Sequence, residues 1–169
     1  GKSTIARVAA GLQKIALGEI FIDGIDLRKF PVIAKSRIGY VAPNLTPYPR
    51  LSGMEYATFV GGMFGISRME CVATEENMFE LAELFAHKDK AIFEYSDGMR
   101  RKLALICALV TRPKLLILDE PFINIDEESI RYFERLIRSK ADDGLAVLLI
   151  DHDIDTIERI CTHWGRMDC

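Results

Sequence analysis

Asp119 and Glu120 are the side chains of this chain best suited to metal-assisted hydrolysis, and they directly follow an uninterrupted aliphatic run at residues 115–118. Such a run is typical of a strand buried on both faces of a parallel sheet, and ligands bind at the carboxyl ends of such strands. There, Asp119 is suited to hold Mg²⁺ and Glu120 is suited to polarise a water molecule. The alternative is a solvated turn, where surface carboxylates are common.

The chain opens with Gly1, Lys2, Ser3 and Thr4, a sequence typical of the end of a phosphate-binding loop. Apolar spacing predicts a helix over residues 3–12, and the free N–H groups and dipole of a helix start attract anions. In such a loop Lys2 reaches the β- and γ-phosphates, Ser3 binds Mg²⁺ and Thr4 lies near the α-phosphate. The alternative is an ordinary helix start capped by Ser3.

Two further polar segments stand beside predicted secondary structure. Residues 96–99 precede a helix predicted to end near Val110, and its first turn carries Arg100, Arg101 and Lys102. We expect either an anion site with the Ser96 hydroxyl facing phosphate, or an N-cap by Ser96 or Asp97 with a basic, solvated first turn.

His152 follows a third aliphatic run at residues 145–150. The side chain should therefore emerge at the same sheet edge as Asp119, because parallel strands end together. The alternative is a solvated loop histidine, and the neighbouring carboxylates of Asp151 and Asp153 have no supporting cluster of metal ligands.

The elements that must position these residues alternate between strand and helix, which predicts a parallel sheet with right-handed crossovers. Two apolar helix faces are interpreted as core-facing, with a partner surface as the alternative: Tyr56, Phe59 and Met63, and Met78, Leu81, Ala82 and Phe85. The predicted strands cover residues 18–23, 37–41, 115–119 and 145–150, with a turn at Asp23-Gly24. We divide the chain into a partial core at 1–50, a helical insert at 51–94 and the remaining core at 95–169.

Composition narrows the class of protein. The 169 residues are 49% hydrophobic, which suits one folded domain, and the net charge of −3 gives no support for nucleic-acid binding. No apolar run approaches the roughly 20 residues that span a bilayer. The 4 cysteines are widely spaced, so we predict no disulfide framework or zinc site, a buried Cys107 and a cytosolic protein.

In chain order, the segments GKST, a proline-rich loop, a helical insert, YSDGM, LLILDEP, INID and a histidine after a strand resemble the ATP-binding subunit of ABC transporters. The resemblance covers essentially the whole chain. It implies an α/β fold of the P-loop NTPase class, with a parallel-sheet core and an inserted helical subdomain. It also implies ATP as the nucleotide and Mg²⁺ as its metal.

The same resemblance implies a role for each matching residue. The Walker A loop would end at Gly1, Lys2, Ser3 and Thr4, with Ser3 and Asp119 on Mg²⁺. Glu120 would be the catalytic base and His152 the switch histidine at the γ-phosphate. The signature motif would span residues 96–99, including Ser96 and Gly98, and Asp126 would be the D-loop aspartate.

The partners implied are a membrane-spanning transporter subunit and a second ATPase subunit in a head-to-tail dimer, identical or different. Ser96 would then act on ATP held by the other subunit's Lys2. The sequence YPRLS at residues 48–52 and the Y-S-x-G-M pattern resemble subunits of ABC-2-type exporters. The expected function is ATP hydrolysis that powers transport, at the cytoplasmic face of the membrane. The alternatives are an impaired interaction module or gene remnant, and a soluble non-transport ABC ATPase.

The chain also departs from the family pattern. It begins within the Walker A loop, so we expect weak ATP binding and an unpaired apolar sheet edge where the preceding strand would lie. Pro43 stands where the family has its Q-loop glutamine, and Asn44 is the neighbouring residue that could replace it. Met99 and Asp97 also differ from the usual signature residues.

Overall fold

The computed structural model describes residues 1–43 and 48–166. In these ranges the helices are α1 Lys2–Ala9, α2 Pro31–Lys35, α3 Gly53–Met63, α4 Arg68–Leu81, α5 Asp97–Val110, α6 Glu127–Asp142 and α7 Ile154–Ile160. The strands are β1 Phe21–Ile22, β2 Ile25–Asp26, β3 Ile38–Val41, β4 Leu115–Asp119 and β5 Ala146–Ile150. The predicted strand ranges 18–23, 37–41, 115–119 and 145–150 contain β1, β3, β4 and β5, respectively.

The main sheet has the order β3-β4-β5, and both of its pairings are parallel. Helix α5 precedes β4 and α6 connects β4 to β5, and the prediction of a parallel sheet is confirmed. The strands β1 and β2 form a separate antiparallel pair. Their turn lies at Asp23 and Gly24, as predicted, and both residues have left-handed backbone with φ 49° and 75°.

Strand β4 is the centre of the molecule, because side chains from both of its faces are fully buried. Leu116 and Leu118 pack into an apolar cluster with helices α3 to α6. Ile117 points to the opposite face and packs with Ala6 of α1 and Ile150 of β5. The aliphatic run therefore forms a strand covered on two sides, as its sequence predicts.

Helices α3 and α4 begin with capping boxes. In each helix, the side chain of the N-cap serine accepts the backbone N–H of a glutamate three residues later, and the glutamate side chain accepts the serine N–H. The pairs are Ser52 with Glu55 and Ser67 with Glu70. Thr58 of α3 donates a hydrogen bond to Glu75 of α4 at 3.0 Å.

The prediction that Tyr56, Phe59 and Met63 face the core is wrong for Phe59 and Met63, whereas Tyr56 is half-buried and packs against the apolar cluster. Phe59 and Met63 are 43% and 62% exposed, and the residues of α3 that are buried are Gly53, Ala57 and Gly61. The physical reason is a close helix contact, because a Cβ atom at Gly61 would collide with the Cys71 sulfur of α4.

The second predicted apolar face is only half correct. Met78 and Ala82 are buried, whereas Leu81 and Phe85 remain exposed. Cys107 is buried as predicted, and the cysteines that the structure describes are all free thiols. Across residues 1–43 and 48–166, the helices are too short or too polar for any of them to cross a bilayer. The division at residues 50 and 94 stays a prediction.

Candidate functional site at the carboxyl edge of the sheet

Helix α1 packs against β4 and β5, and its first residues lie beside the carboxyl end of β4. The Ser3 hydroxyl donates a hydrogen bond to Asp119 Oδ1 at 3.3 Å. Gly1 is the N-cap residue of α1, and no side chain caps the helix. The alternative prediction that Ser3 caps its own helix is therefore wrong, because the hydroxyl points across to β4.

The first turn of α1 contains no acidic residue of its own, and the carboxylate that contacts it is that of Asp119 at the end of β4. Lys2 is half-buried and lines a cavity of about 260 Å³ that also borders Ile150 and Asp151 of the β5 end. Gly1 and Thr4 are exposed. The helix N–H groups and the Lys2 ammonium together give this end of α1 the charge that favours an anion.

Asp119 is nearly inaccessible, with 1% of its surface exposed. Its Oδ1 atom accepts from Ser3, but Oδ2 is buried without a hydrogen-bond partner among the described residues. A buried carboxylate oxygen without a donor costs free energy unless a cation or water satisfies it. The Ser3 hydroxyl and Asp119 carboxylate are hard oxygen ligands, so the residues present fit Mg²⁺.

The donor set is small, which also fits that metal. Within residues 1–43 and 48–166 there is no cluster of three or more His, Cys, Asp or Glu side chains able to bind a metal. Mg²⁺ commonly takes one or two protein oxygens and completes its shell with water and substrate phosphate. The arrangement at Ser3 and Asp119 matches that pattern better than a closed structural site.

Glu120 and His152 form a second pair at the same edge. His152 Nε2 lies 2.7 Å from Glu120 Oε1, although 70% of the histidine side chain is exposed. The register pairs Asp119 with Ile150, so both loops leave the sheet together. The prediction that His152 and Asp119 emerge at one edge is therefore confirmed.

The backbone of Glu120 is held in an uncommon conformation, with φ 52°. Its N–H donates to the Ile150 carbonyl at 2.8 Å, which extends the β4–β5 ladder by one bond. Beyond β5, Asp151 Oδ1 accepts the N–H groups of His152 and Asp153 at 2.7 and 3.0 Å. Backbone bonds therefore position both side chains of the Glu120–His152 pair.

Helix α5 begins with a side-chain N-cap, which was one of the two alternatives predicted for this segment. Ser96 is the N-cap residue, and its hydroxyl accepts the Met99 N–H at 3.2 Å. Gly98 is buried, and any Cβ atom there would collide with the carbonyl oxygen of Asn124 in the loop after β4. Ser96 and Gly98 thus contact α5 itself and that loop, whereas Ser3, Asp119, Glu120 and His152 gather at the sheet edge.

The expectation of a solvated basic turn is wrong for Lys102. Its side chain is 8% exposed, and Nζ lies 2.6 Å from Asp126 Oδ2. Asp126 also caps α6 by accepting the Ser129 N–H at 2.8 Å. Burial alone would raise the pKa of Asp126, but the hydrogen bonds from Lys102 and Ser129 outweigh it and lower the pKa to about 2. Asp126 is therefore ionised at neutral pH.

Arg101 is a site residue that sequence reasoning missed. Its guanidinium donates to the Glu120 carbonyl at 3.1 Å, to the Ala42 carbonyl at 3.4 Å and to the Pro43 carbonyl at 2.5 Å. These acceptors are backbone atoms, so no residue type in the sequence marks them. Asn44, predicted to replace the Q-loop glutamine, lies outside the described residues.

Comparison with known proteins identifies a matching family and several relatives of this chain. Residues 1–123 match the protein family described as ABC transporter. The linearmycin resistance ATP-binding protein LnrL of Bacillus subtilis is 30% identical over 168 residues, which cover 99% of this chain and 54% of LnrL. The Nod factor export ATP-binding protein I of Cupriavidus metallidurans is also 30% identical, with 99% of this chain and 55% of that protein covered.

The ABC transporter ATP-binding protein NatA of Bacillus subtilis is 28% identical over 95% of this chain and 66% of NatA. The chain thus spans little more than half the length of LnrL and the Nod factor protein, and just under two thirds of NatA.

Solved structures agree with this assignment. The structure of an ATP-binding subunit of an ABC transporter superposes with a TM-score of 0.89 at 27% identity, covering 95% of this chain and 67% of the other. A dimeric ATP-binding cassette, MJ0796 bound to ADP and Pi, has a TM-score of 0.80 at 23% identity, covering 94% and 73%, and this likeness concerns the fold alone. The predicted α/β fold of the P-loop NTPase class is confirmed.

Proposed function

The chain belongs to the ABC transporter family as an ATP-binding subunit, and on that premise we propose that it binds ATP with Mg²⁺, hydrolyses it and so powers transport across a membrane. The observation that carries the proposal is the buried, unpartnered Oδ2 of Asp119, held beside the Ser3 hydroxyl. The Glu120–His152 pair lies at the same edge. This edge combines a metal-binding carboxylate with a second carboxylate able to act as a base.

The start of α1 would hold the triphosphate. Lys2 offers a point charge to the β- and γ-phosphates, and the free N–H groups after Gly1 face the same ligand. Thr4 lies in the first turn of α1 and would be near the α-phosphate. Ser3 and Asp119 would hold Mg²⁺, which when bound neutralises charge on the phosphate oxygens.

Glu120 would take the proton from the attacking water. The bond from His152 Nε2 to Oε1 orients the carboxylate and leaves Oε2 free to accept that proton. His152 is largely exposed on the side where the γ-phosphate would lie, which supports its proposed role as a sensor of that group. The two side chains would act together, because each one determines the orientation of the other.

Ser96, Gly98 and Asp126 would serve ATP bound by a second subunit in a head-to-tail dimer. Ser96 and Asp126 are both exposed, and their described contacts are made within α5, α6 and the loop between β4 and α6. The similar fold of a cassette solved as a dimer supports this arrangement. Identical and different second subunits are both compatible with it. In this proposal, residues 1–50 and 95–169 form the core and residues 51–94 the helical insert.

Export is the proposed direction of transport, with a membrane-spanning partner and a location at the cytoplasmic face of the membrane. The relatives named for linearmycin resistance and Nod factor export support it. Pro43 favours a second candidate, an impaired interaction module. Its side chain has no polar atom to contact Mg²⁺ or water, and its carbonyl is already bonded to Arg101.

Replacement of Glu120 by Gln tests the proposal in the protein as its gene encodes it. We expect phosphate release to fall about 10²- to 10⁴-fold, because the amide cannot accept the proton of the water. ATP binding should remain, and the ATP-bound dimer should accumulate, as measured by size-exclusion chromatography with light scattering.

The matched control is Glu128→Gln, which removes the same charge from an exposed position in the first turn of α6. It should leave the hydrolysis rate unchanged. Hydrolysis by Glu120→Gln at the wild-type rate would contradict the role assigned to Glu120. Absence of hydrolysis in the unaltered protein would favour the impaired module.

A further inference from the structure

We propose that Arg101 is a positioning residue that holds the backbone of Glu120 and ties it to the loop after β3; this inference rests on the proposed function. Arg101 lies in α5 and is half-buried. Its Nη1 donates to the Glu120 carbonyl at 3.1 Å and to the Ala42 carbonyl at 3.4 Å. Its Nη2 donates to the Pro43 carbonyl at 2.5 Å.

The backbone of Glu120 requires such support. A residue with a side chain is uncommon at φ 52°, and this conformation persists only where neighbouring groups hold it. Glu120 is held on both sides of its Cα atom, because its N–H donates to Ile150 at 2.8 Å and its carbonyl accepts from Arg101. These two bonds fix the peptide planes and therefore the direction of the side chain.

His152 adds the third anchor, at the far end of the side chain. The carboxylate is thus positioned by one bond from each of three elements: α5, the end of β5 and the loop beyond it. A catalytic group displaced by about 1 Å can lose a hundredfold in rate. Removal of the α5 bond should therefore affect the rate of the chemical step and leave the phosphate-binding residues in place.

The same guanidinium connects Glu120 to the loop after β3. Ala42 and Pro43 offer backbone carbonyls, which remain available whatever side chain occupies these positions. Among the ion pairs of the residues that the structure describes, none includes Arg101, so its partners are these carbonyl oxygens. A shift of the loop would move the group that holds Glu120, which gives the loop a route to the catalytic carboxylate without a glutamine at position 43.

An arginine is suited to this role because its planar guanidinium carries several donors in a fixed geometry. A lysine at the same position would keep the charge and part of the stem, but its ammonium cannot reproduce the fork that binds both loops. The pair of variants Arg101→Met and Arg101→Lys therefore separates the charge from the geometry.

Arg100 provides the matched control. It is the preceding residue of α5, and its guanidinium also donates to backbone carbonyls, those of Ile92 and Phe93 at 3.4 and 3.3 Å. It has no bond to Glu120 or to the loop after β3. Arg100→Met thus removes the same kind of side chain and two contacts with backbone carbonyls, together with an ion pair from Arg100 Nη1 to Asp97 Oδ1 at 3.1 Å.

The experiment measures kcat and KM for ATP hydrolysis in the protein as its gene encodes it, with folding checked by thermal unfolding. We expect Arg101→Met to lower kcat about 10- to 100-fold with KM within twofold, since the residue acts on the base and not on the phosphates. The kcat of Arg101→Lys should lie between those of wild type and Arg101→Met, and Arg100→Met should keep kcat within twofold of wild type.

A double variant distinguishes positioning from general structural support. In a Glu120→Gln background, Arg101→Met should cause no further loss, because the residue acts through the Glu120 carboxylate. An equal loss in both backgrounds would overturn the inference, as would an unchanged kcat in Arg101→Met and Arg101→Lys. Those results leave the proposed function intact if wild type hydrolyses ATP, whereas an inactive wild type would overturn the proposed function and this inference together.

Discussion

Lys102 and Asp126 form the ion pair that joins α5 to the start of α6. Its contribution to stability depends on pH, because protonation of the Asp126 carboxylate removes the negative charge. The pKa of Asp126 is lowered to about 2 in the folded chain, from about 3.9 in an unfolded one. The pair therefore stabilises the fold above about pH 4, and its contribution is lost as the pH falls towards 2.

Asp126→Asn tests this contribution, because Asn caps helices about as well as Asp and so retains the bond to Ser129. We expect the free energy of unfolding to fall by about 1 kcal/mol at pH 6, a modest value because 46% of the Asp126 side chain is exposed to screening solvent. The difference from wild type should shrink between pH 4 and 2, as measured by urea unfolding. A difference that is constant over this range would contradict the assigned pKa.

At the residue scale, the sequence predicted the site residues that stand next to a recognisable strand. Asp119 ends β4, and Glu120 and His152 follow within two residues of β4 and β5, so their common edge was predictable from the rule for parallel sheets. Arg101 and Lys102 were not predictable, because their partners are distant backbone carbonyls and a distant carboxylate. Nothing in a local pattern distinguishes such residues from solvated basic side chains.

At the element scale, α5 is packed against the loop between β4 and α6 through Gly98. The carbonyl of Asn124 occupies the space that any side chain would need. We expect Gly98→Ala to lower the free energy of unfolding by about 1–3 kcal/mol, since the helix or the loop must move. The loop carries Asp126, so the Lys102–Asp126 distance should also change.

The matched control is Gly62→Ala in α3, where an added Cβ atom meets nothing within 4 Å. This exposed helical glycine should gain about 0.5–1 kcal/mol on replacement, because alanine restricts the unfolded chain and favours the helix. Chemical unfolding of both variants measures whether the free energy of unfolding falls in Gly98→Ala and rises in Gly62→Ala. A neutral Gly98→Ala would mean that the loop moves without cost.

Helix α3 shows why an apolar helix face does not always identify the core. In α3 the large residues Phe59 and Met63 are exposed, whereas glycine and alanine face α4 and α5. Close helix contact selects small side chains, and hydrophobic spacing gives greater weight to large ones. The sequence predicted a helical segment over residues 51–94 without bounds for α3, and the buried face of α3 depends on how closely its neighbours pack.

At the scale of the whole molecule, β4 separates two apolar clusters and stabilises both. Leu118→Ala should weaken the cluster with α3 to α6, and Ile117→Ala the cluster with α1 and β5. Each should lower the free energy of unfolding by about 2–5 kcal/mol, as for other fully buried aliphatic residues. Leu17→Ala, at a position 93% exposed, should change it by less than about 0.5 kcal/mol. Equal effects at all three sites would contradict the central position of β4.

The double burial of β4 also bears on how the sheet finds its alignment during folding. A strand with one polar face resists a slip by one residue, because the slip would bury polar groups. The run at residues 115–118 offers no such resistance, since each of its side chains is apolar. Asp119 and the left-handed backbone at Glu120 end the run and mark where it must stop. Asp119→Leu would therefore prolong the apolar run and remove a marker of strand alignment as well as a metal ligand, so misassembled chains would accumulate alongside inactive ones.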